Sequence, residues 1–208
     1  MWSLKKPSAE RVSAFLAQQS RYPYSYREVG CSRSETPAGY DLDHNRIPLG
    51  AGRAVFETAC AAVRRWRMFP GGWTEIHPGD TPIEAGQAVA LLVRAFGLWR
   101  LNACRIVYVI DEAGPACRFG FAYGTLPGHV ERGEERFTIE WGPDDLVWYD
   151  IRAFSRPRHW LVRLGYPLAR RLQQRFVRES QAAMRRMIEL ATPPPPGPQP
   201  RQPPARLG

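Results

Sequence analysis

Lysine is nearly missing from this chain. Of its 29 basic residues only Lys5 and Lys6 are lysines, which leaves 27 arginines, and Ala, Gly and Pro are plentiful. That bias reads as the codon usage of a GC-rich genome. The net charge of +9 and the pI near 9.9 therefore argue less for a polyanionic partner than their size suggests, and nucleic acid is not the expected partner. Paired cysteines are lacking as well. Cys31, Cys60, Cys104 and Cys117 are scattered, with no C-x-x-C and no His at metal-ligand spacing, so they read as small buried thiols rather than a zinc site or a disulfide framework. Long apolar runs are also missing. A membrane helix takes roughly 18 uninterrupted apolar residues, and the best candidate, Ala88 to Leu98, is broken by Arg94. The N-terminal Met-Trp-Ser-Leu-Lys-Lys-Pro leads into a polar helical pattern without the apolar core of a signal peptide, so a cytoplasmic location is expected.

Nucleotide and hydrolase signatures are equally absent. There is no G-x-S-x-G elbow, P-loop, G-x-G-x-x-G or H-E-x-x-H, and Gly50-Ala51-Gly52 lacks the third glycine of a dinucleotide loop. No cofactor or metal is indicated. What the chain does have is 44% hydrophobic and 12% aromatic residues, with seven Trp, enough for one well-buried core over residues 1–191. Thr192 to Gly208, with Pro193 to Pro196 in succession, reads as a disordered or polyproline tail.

The periodicities predict an α+β domain. Pro7 to Gln19 is helical, with Val12, Phe15 and Leu16 on one face, and Arg53 to Met68 is an amphipathic helix stopped by Phe69-Pro70-Gly71-Gly72. Between them, Tyr22 to Val29 reads as an opening strand and Gly39 to Leu49 as a second extended segment. Six strand-like runs follow: Trp73 to His77, Gln87 to Phe96, Cys104 to Ile110, Ala116 to Tyr123, Glu135 to Trp141 and Leu146 to Phe154. Turn chemistry at Asp111 to Pro115 and Gly142 to Asp145 makes them an antiparallel meander. Arg158 to Leu190 is a long helix, broken or kinked near Gly165 and Pro167, whose stripe of Leu164, Leu168, Leu172 and Phe176, with Met184, Met187 and Ile188 further on, must lie on that sheet. A helix closed over a curved sheet makes a pocket for a hydrophobic or amphipathic small molecule.

Three places carry candidate chemistry. Tyr123-Gly124-Thr125-Leu126-Pro127-Gly128-His129, with Gly133-Glu134-Glu135, reads either as a loop shaped by its glycines or as a pocket rim presenting Tyr123, Thr125, His129 and Glu134 to a ligand. In the last hairpin, a four-residue turn at Gly142 to Asp145 pairs Phe137, Ile139 and Trp141 with Asp150, Trp148 and Leu146. That pairing turns Trp148, Asp150 and Arg152 toward the helix, where the two charges either pair or sit at the wet end of a pocket. Ser155 and Pro157 read as the cap and first turn of the long helix, and Arg156 as a contact for an anionic group. An enzymatic alternative has His129, Glu134 or Asp150 moving protons in the pocket. A third reading takes the arginines of the long helix as a face for anionic membrane or nucleic acid.

The order of elements resembles the helix-grip fold of START and Bet v 1-like proteins. Closer still, Trp66-Arg67-Met68-Phe69, Tyr123 to His129, Gly133 to Phe137, Ala153-Phe154-Ser155-Arg156-Pro157, and Gly165-Tyr166-Pro167 with Gln174-Arg175-Phe176 resemble domain of unknown function 1990, or uncharacterised protein family 0548. The likeness covers about residues 5–188 and names a family rather than an activity. Helix-grip relatives include lipid carriers, hormone and sterol binders, and polyketide cyclases or dehydratases. Fold analogy does not choose among these, and the ligand expected between sheet and helix is lipid-like or isoprenoid-like.

Overall fold

Turn chemistry sets the topology in the computed structural model, which describes residues 2–34, 36–69, 71–158 and 166–191. After a short β1 (Trp2–Ser3), helix α1 (Ala9–Gln19) is capped by Ser8, whose side chain accepts from the Arg11 amide. Strand β2 (Asp41–Ala51) leads into α2 (Arg53–Arg64), and the meander follows as β3 (Thr74–His77), β4 (Ala88–Ala95), β5 (Leu98–Glu112), β6 (Cys117–Thr125), β7 (Glu131–Trp141) and β8 (Leu146–Pro157). The last element is α3 (Tyr166–Ala191). All strand pairs are antiparallel, in the order β2-β8-β7-β6-β5-β4-β3, with β1 added on β5. The chain leaves one edge at β2, crosses by α2 to the far edge, and meanders back. Irregularities in register between Pro48 and Gly50 and between Ile106 and Tyr108 bend the sheet, giving the concave face on which α2 and α3 lie.

One half of that concavity is solid. Trp66, Met68 and Phe69, just after α2, pack with Phe121, Phe137, Ile139 and Tyr149 of the sheet and with Met184 and Ile188 of α3. Rings meet through this region, Trp66 edge-on to Phe121 with centroids 4.9 Å apart and Phe69 tilted against Phe176 at 5.3 Å. Both sides of the sheet are covered. On the outer face α1 sets Val12, Phe15 and Leu16 against Ala90, Leu92, Trp99 and Leu101.

Four expectations need correction. Tyr22 to Val29 is not a strand: the segment crosses the outer face as an irregular strap ending in a 3-10 turn at Cys31–Arg33, because its tyrosines pack and hydrogen-bond onto the sheet instead of joining its ladder. The β7–β8 register differs by one residue. Phe137 faces Ile151, and Trp141 faces Val147, because the Gly142 amide bonds to the Leu146 carbonyl and the loop is three residues long, with Asp145 left-handed at φ 63°. Since side chains alternate, that single step sends Tyr149 and Ile151 inward and Trp148, Asp150 and Arg152 outward. Ser155 and Arg156 are not a helix start, since β8 stays paired with β7 as far as Pro157, opposite Glu131. Finally, Arg158 lies just past β8 and α3 begins at Tyr166, directly after Gly165. Leu164, Gly165 itself and the Pro-rich tail lie outside the described residues.

Candidate functional site

The other half of the concavity is open. A cavity of about 980 Å³ lies between the first turns of α3 and the sheet, its walls mainly apolar. Leu168, Leu172, Phe176 and Val177 form the helix side, and Leu91, Val93, Ile151 and Ala153 belong to the sheet side. The helical stripe read from the sequence divides accordingly. Met184 and Ile188 fill the core, while Leu168 and Leu172 border empty space.

Strand alternation decides which polar groups enter. Phe137 and Ile139 point into the core, so Glu135, Gly133 and Glu131 share their face. Glu135 accepts a 2.6 Å hydrogen bond from the Tyr123 hydroxyl, and its pKa is pushed from 4.5 up to about 7, chiefly by burial; the Tyr123 bond opposes the rise and the nearby Glu131 and Asp43 add to it. Burial likewise raises Tyr123 well above the ordinary phenol. Glu131 accepts from the Gln173 amide at 2.8 Å, and burial raises its pKa too. Arg170 of α3 forks onto Asp43 of β2, with Nη2 to Oδ1 at 2.6 Å, and its Nη1 also donates to Gln173 at 2.9 Å. This chain of polar contacts ties the first half of α3 to β2 and β7 across the cavity wall.

His129 lies at the end of the cavity nearest the β6–β7 connection. Its Nδ1 accepts from the Glu131 amide at 3.0 Å, and burial, assisted by the positive charges of Arg100 and Arg158, lowers its pKa to about 4. The imidazole is neutral at pH 7, with the proton on Nε2. Arg100 and Arg158 line the same cavity.

The eight sequence-derived candidates thus fall on both faces of the sheet. Tyr123, Thr125 and His129 line the cavity. Glu134 borders it too, but its carboxylate is engaged on the outer face, accepting from the Tyr26 hydroxyl at 2.6 Å, the Gly30 and Ser32 amides at 2.8 and 3.1 Å, and the Ser32 hydroxyl. Asp150, 2% exposed, receives Arg136 at 2.9 Å and His44 at 2.5 Å on that outer face. Arg46 lies over the Trp148 ring at 4.6 Å, Arg152 donates to the Ser34 carbonyl at 3.0 Å, and Arg156 stacks on Tyr40 at 4.3 Å. Of these outer contacts, those of Glu134, Ser32, Arg136 and Asp150 form a buried polar layer, and His44, Arg46 and Arg152 close it from the exposed side. The glycines of the Tyr123 to His129 segment belong to the same assembly. A Cβ on Gly124 would meet the Tyr26 hydroxyl at 2.1 Å, and one on Gly128 would meet Phe15 at 2.6 Å. The structure brings Glu131, Glu135, Arg100 and Arg158 to the cavity in addition to the expected residues. Alternation from Phe137 was the signal that could have found the two glutamates.

Among the described residues no helix is long and apolar enough to cross a membrane. Of the arginines on α3, Arg170 turns in to Asp43, and Arg175 bonds to Glu179 at 2.7 Å and lies over Trp73 at 4.6 Å.

Residues 25–183 match the model of a family described as Domain of unknown function (DUF1990). Curated relatives carry the name UPF0548 protein. One from Dictyostelium discoideum is 35% identical over 199 residues, covering 86% of this chain and 92% of its own. Another, from Deinococcus radiodurans, is 38% identical over 189 residues, covering 86% and 94%. Among solved structures, Ara h 8.0201 aligns with a TM-score of 0.46 at 13% identity over 74% of this chain and 98% of its own, and human STARD10 with 0.47 at 9% identity over 89% and 81%.

Proposed function

The chain belongs to the DUF1990 (UPF0548) family, a name that carries no activity, and from the geometry of its cavity we propose that it binds a hydrophobic or amphipathic small molecule between the sheet and α3. One observation carries this reading: the concave face is packed solid at one end and left open over about 980 Å³ at the other, with apolar walls and a few convergent polar groups. Space of that size beside a close-packed core costs dispersion contacts that an apolar occupant restores.

The test is binding of the neutral fluorescent probe N-phenyl-1-naphthylamine, together with native mass spectrometry of the purified protein for a co-purifying ligand. Ala153 lines the cavity from β8, and Ala153→Trp fills the space beside it. The variant is expected to keep its circular dichroism spectrum and lose probe binding. Undiminished binding would place the probe elsewhere and remove the reading.

A second reading, an acid–base enzyme, is favoured by one specific feature. Glu135 titrates near neutrality inside an apolar space and is held by a phenol, which suits it to give or take a proton. Conversion of a bound molecule would appear as a different ligand mass extracted from wild type than from Glu135→Gln. Identical masses would count against it.

A further inference from the structure

Among the described residues, the arginines at the His129 end of the cavity have no anionic partner. Arg158 lines the cavity, and its Nε and Nη1 atoms are buried without a hydrogen-bond partner. Arg100, on the β5 side, makes among the described residues a 3.4 Å bond from Nε to Asn102 and a cation–π contact with Trp2 at 5.2 Å. Neither forms an ion pair among the described residues. Glu131, which lines the same cavity and pairs with Pro157, is turned onto Gln173 instead. Burial weakens the hold of Arg100 on its proton, and the two charges together help keep His129 neutral, so the group is a concentration of uncompensated positive charge. A guanidinium with buried donors and no acceptor is costly unless something anionic completes it. Since His129 spends Nδ1 on the Glu131 amide, its Nε2–H is a further donor at the same end.

We infer that the cavity ligand is an anionic amphiphile, its carboxylate or phosphate head seated among Arg158, Arg100 and His129 and its apolar tail running toward Phe176. This rests on the cavity-binding reading above and adds the chemistry of the head group. Guanidinium forks suit both anions, because two parallel N–H donors match two oxygens of either.

The experiment displaces N-phenyl-1-naphthylamine with tetradecanoate, tetradecyl phosphate and tetradecanol, which share a chain and differ in charge. From wild type the two anions are expected to displace the probe at about tenfold lower concentration than the alcohol, the usual worth of one charge-assisted hydrogen bond. In Arg158→Gln, and independently in Arg100→Gln, that advantage falls about tenfold while tetradecanol is unaffected, and its unchanged displacement shows the variant to be folded. Equal displacement by all three from wild type, or equal weakening of all three in both variants, would overturn the anionic head. Inorganic phosphate displacing tetradecyl phosphate at comparable concentration would overturn the amphiphile in favour of a chainless anion. Failure of wild type to bind probe or any of the three would instead overturn the cavity reading, and the head-group assignment with it.

Discussion

Glu135 and His129 face the same cavity and are pushed in opposite directions by the same burial. Glu135 is raised from 4.5 to about 7, so the folded state holds its proton more tightly than the unfolded chain does, and the associated stability, present below pH 4.5, is lost as the pH rises through 7. His129 is lowered from 6.5 to about 4, so its contribution is present above pH 6.5 and lost as the pH falls through 4. Between these limits the two slopes oppose each other. Measured against wild type by thermal melts, Glu135→Gln is expected to gain stability steadily from pH 4.5 to 8. A difference that stays constant across that range would mean that Glu135 is not shifted. His129 was legible from the sequence as a special residue in a special loop. Glu135 was passed over for its neighbour Glu134, although the alternation that puts Phe137 inside puts Glu135 inside and the Glu134 carboxylate outside.

Among elements, the hairpins show what a sequence can and cannot specify. The strands of the meander and the faces of α1 and α2 follow from period and turn residues, and the structure reproduces them with ends shifted by a few positions, β5 extending farthest. The β7–β8 register turned on whether the Gly142 to Asp145 turn holds four loop residues or three, and composition does not distinguish these. One residue of difference puts Asp150 in a buried ion network with Arg136 and His44, and Arg152 on the outer face against the Ser34 carbonyl, rather than in a pocket. The β4–β5 hairpin carries a different irregularity. Its two loop residues, Phe96 and Gly97, are both left-handed, at φ 53° and 77°, and Phe96 is 66% exposed. A two-residue loop with both residues at positive φ favours Asn-Gly, and a bulky aromatic there is strained. Phe96→Asn is therefore expected to stabilise the protein by about 0.5–1 kcal/mol, read as a rise of roughly 1–4 °C in Tm. A fall in Tm would show that the Phe96 ring, which also lines the cavity, contributes more by packing than the turn loses.

At the scale of the whole molecule, the sheet lies between two unlike covers, helices and a cavity on one side and α1 with the residue 20–34 strap on the other. The helices and their order were readable from sequence because each carries a periodic apolar face. The strap was not, because irregular backbone has no period and its tyrosines imitate a strand. Gly124 is where the two covers meet through the sheet, Tyr123 facing the cavity and the Tyr26 ring pressing on Gly124 from outside. Gly124→Ala puts a methyl into the Tyr26 hydroxyl and breaks its bond to Glu134. The expected cost is about 1–3 kcal/mol, with faster amide hydrogen exchange across residues 24–34 and N-phenyl-1-naphthylamine binding retained. Unchanged exchange in the strap would show that the outer layer does not depend on that contact. The layer also bears on binding itself. Glu134 accepts four hydrogen bonds, and Arg136, Asp150 and His44 interlock across three strands, so the wall behind the cavity is braced from outside whether or not anything fills it. A braced wall loses little configurational freedom when a guest arrives, which leaves more of the contact energy to appear as affinity. The accommodation of guests of different length then falls to the opposite side, where the Arg170 and Gln173 contacts tie the first half of α3 to the sheet.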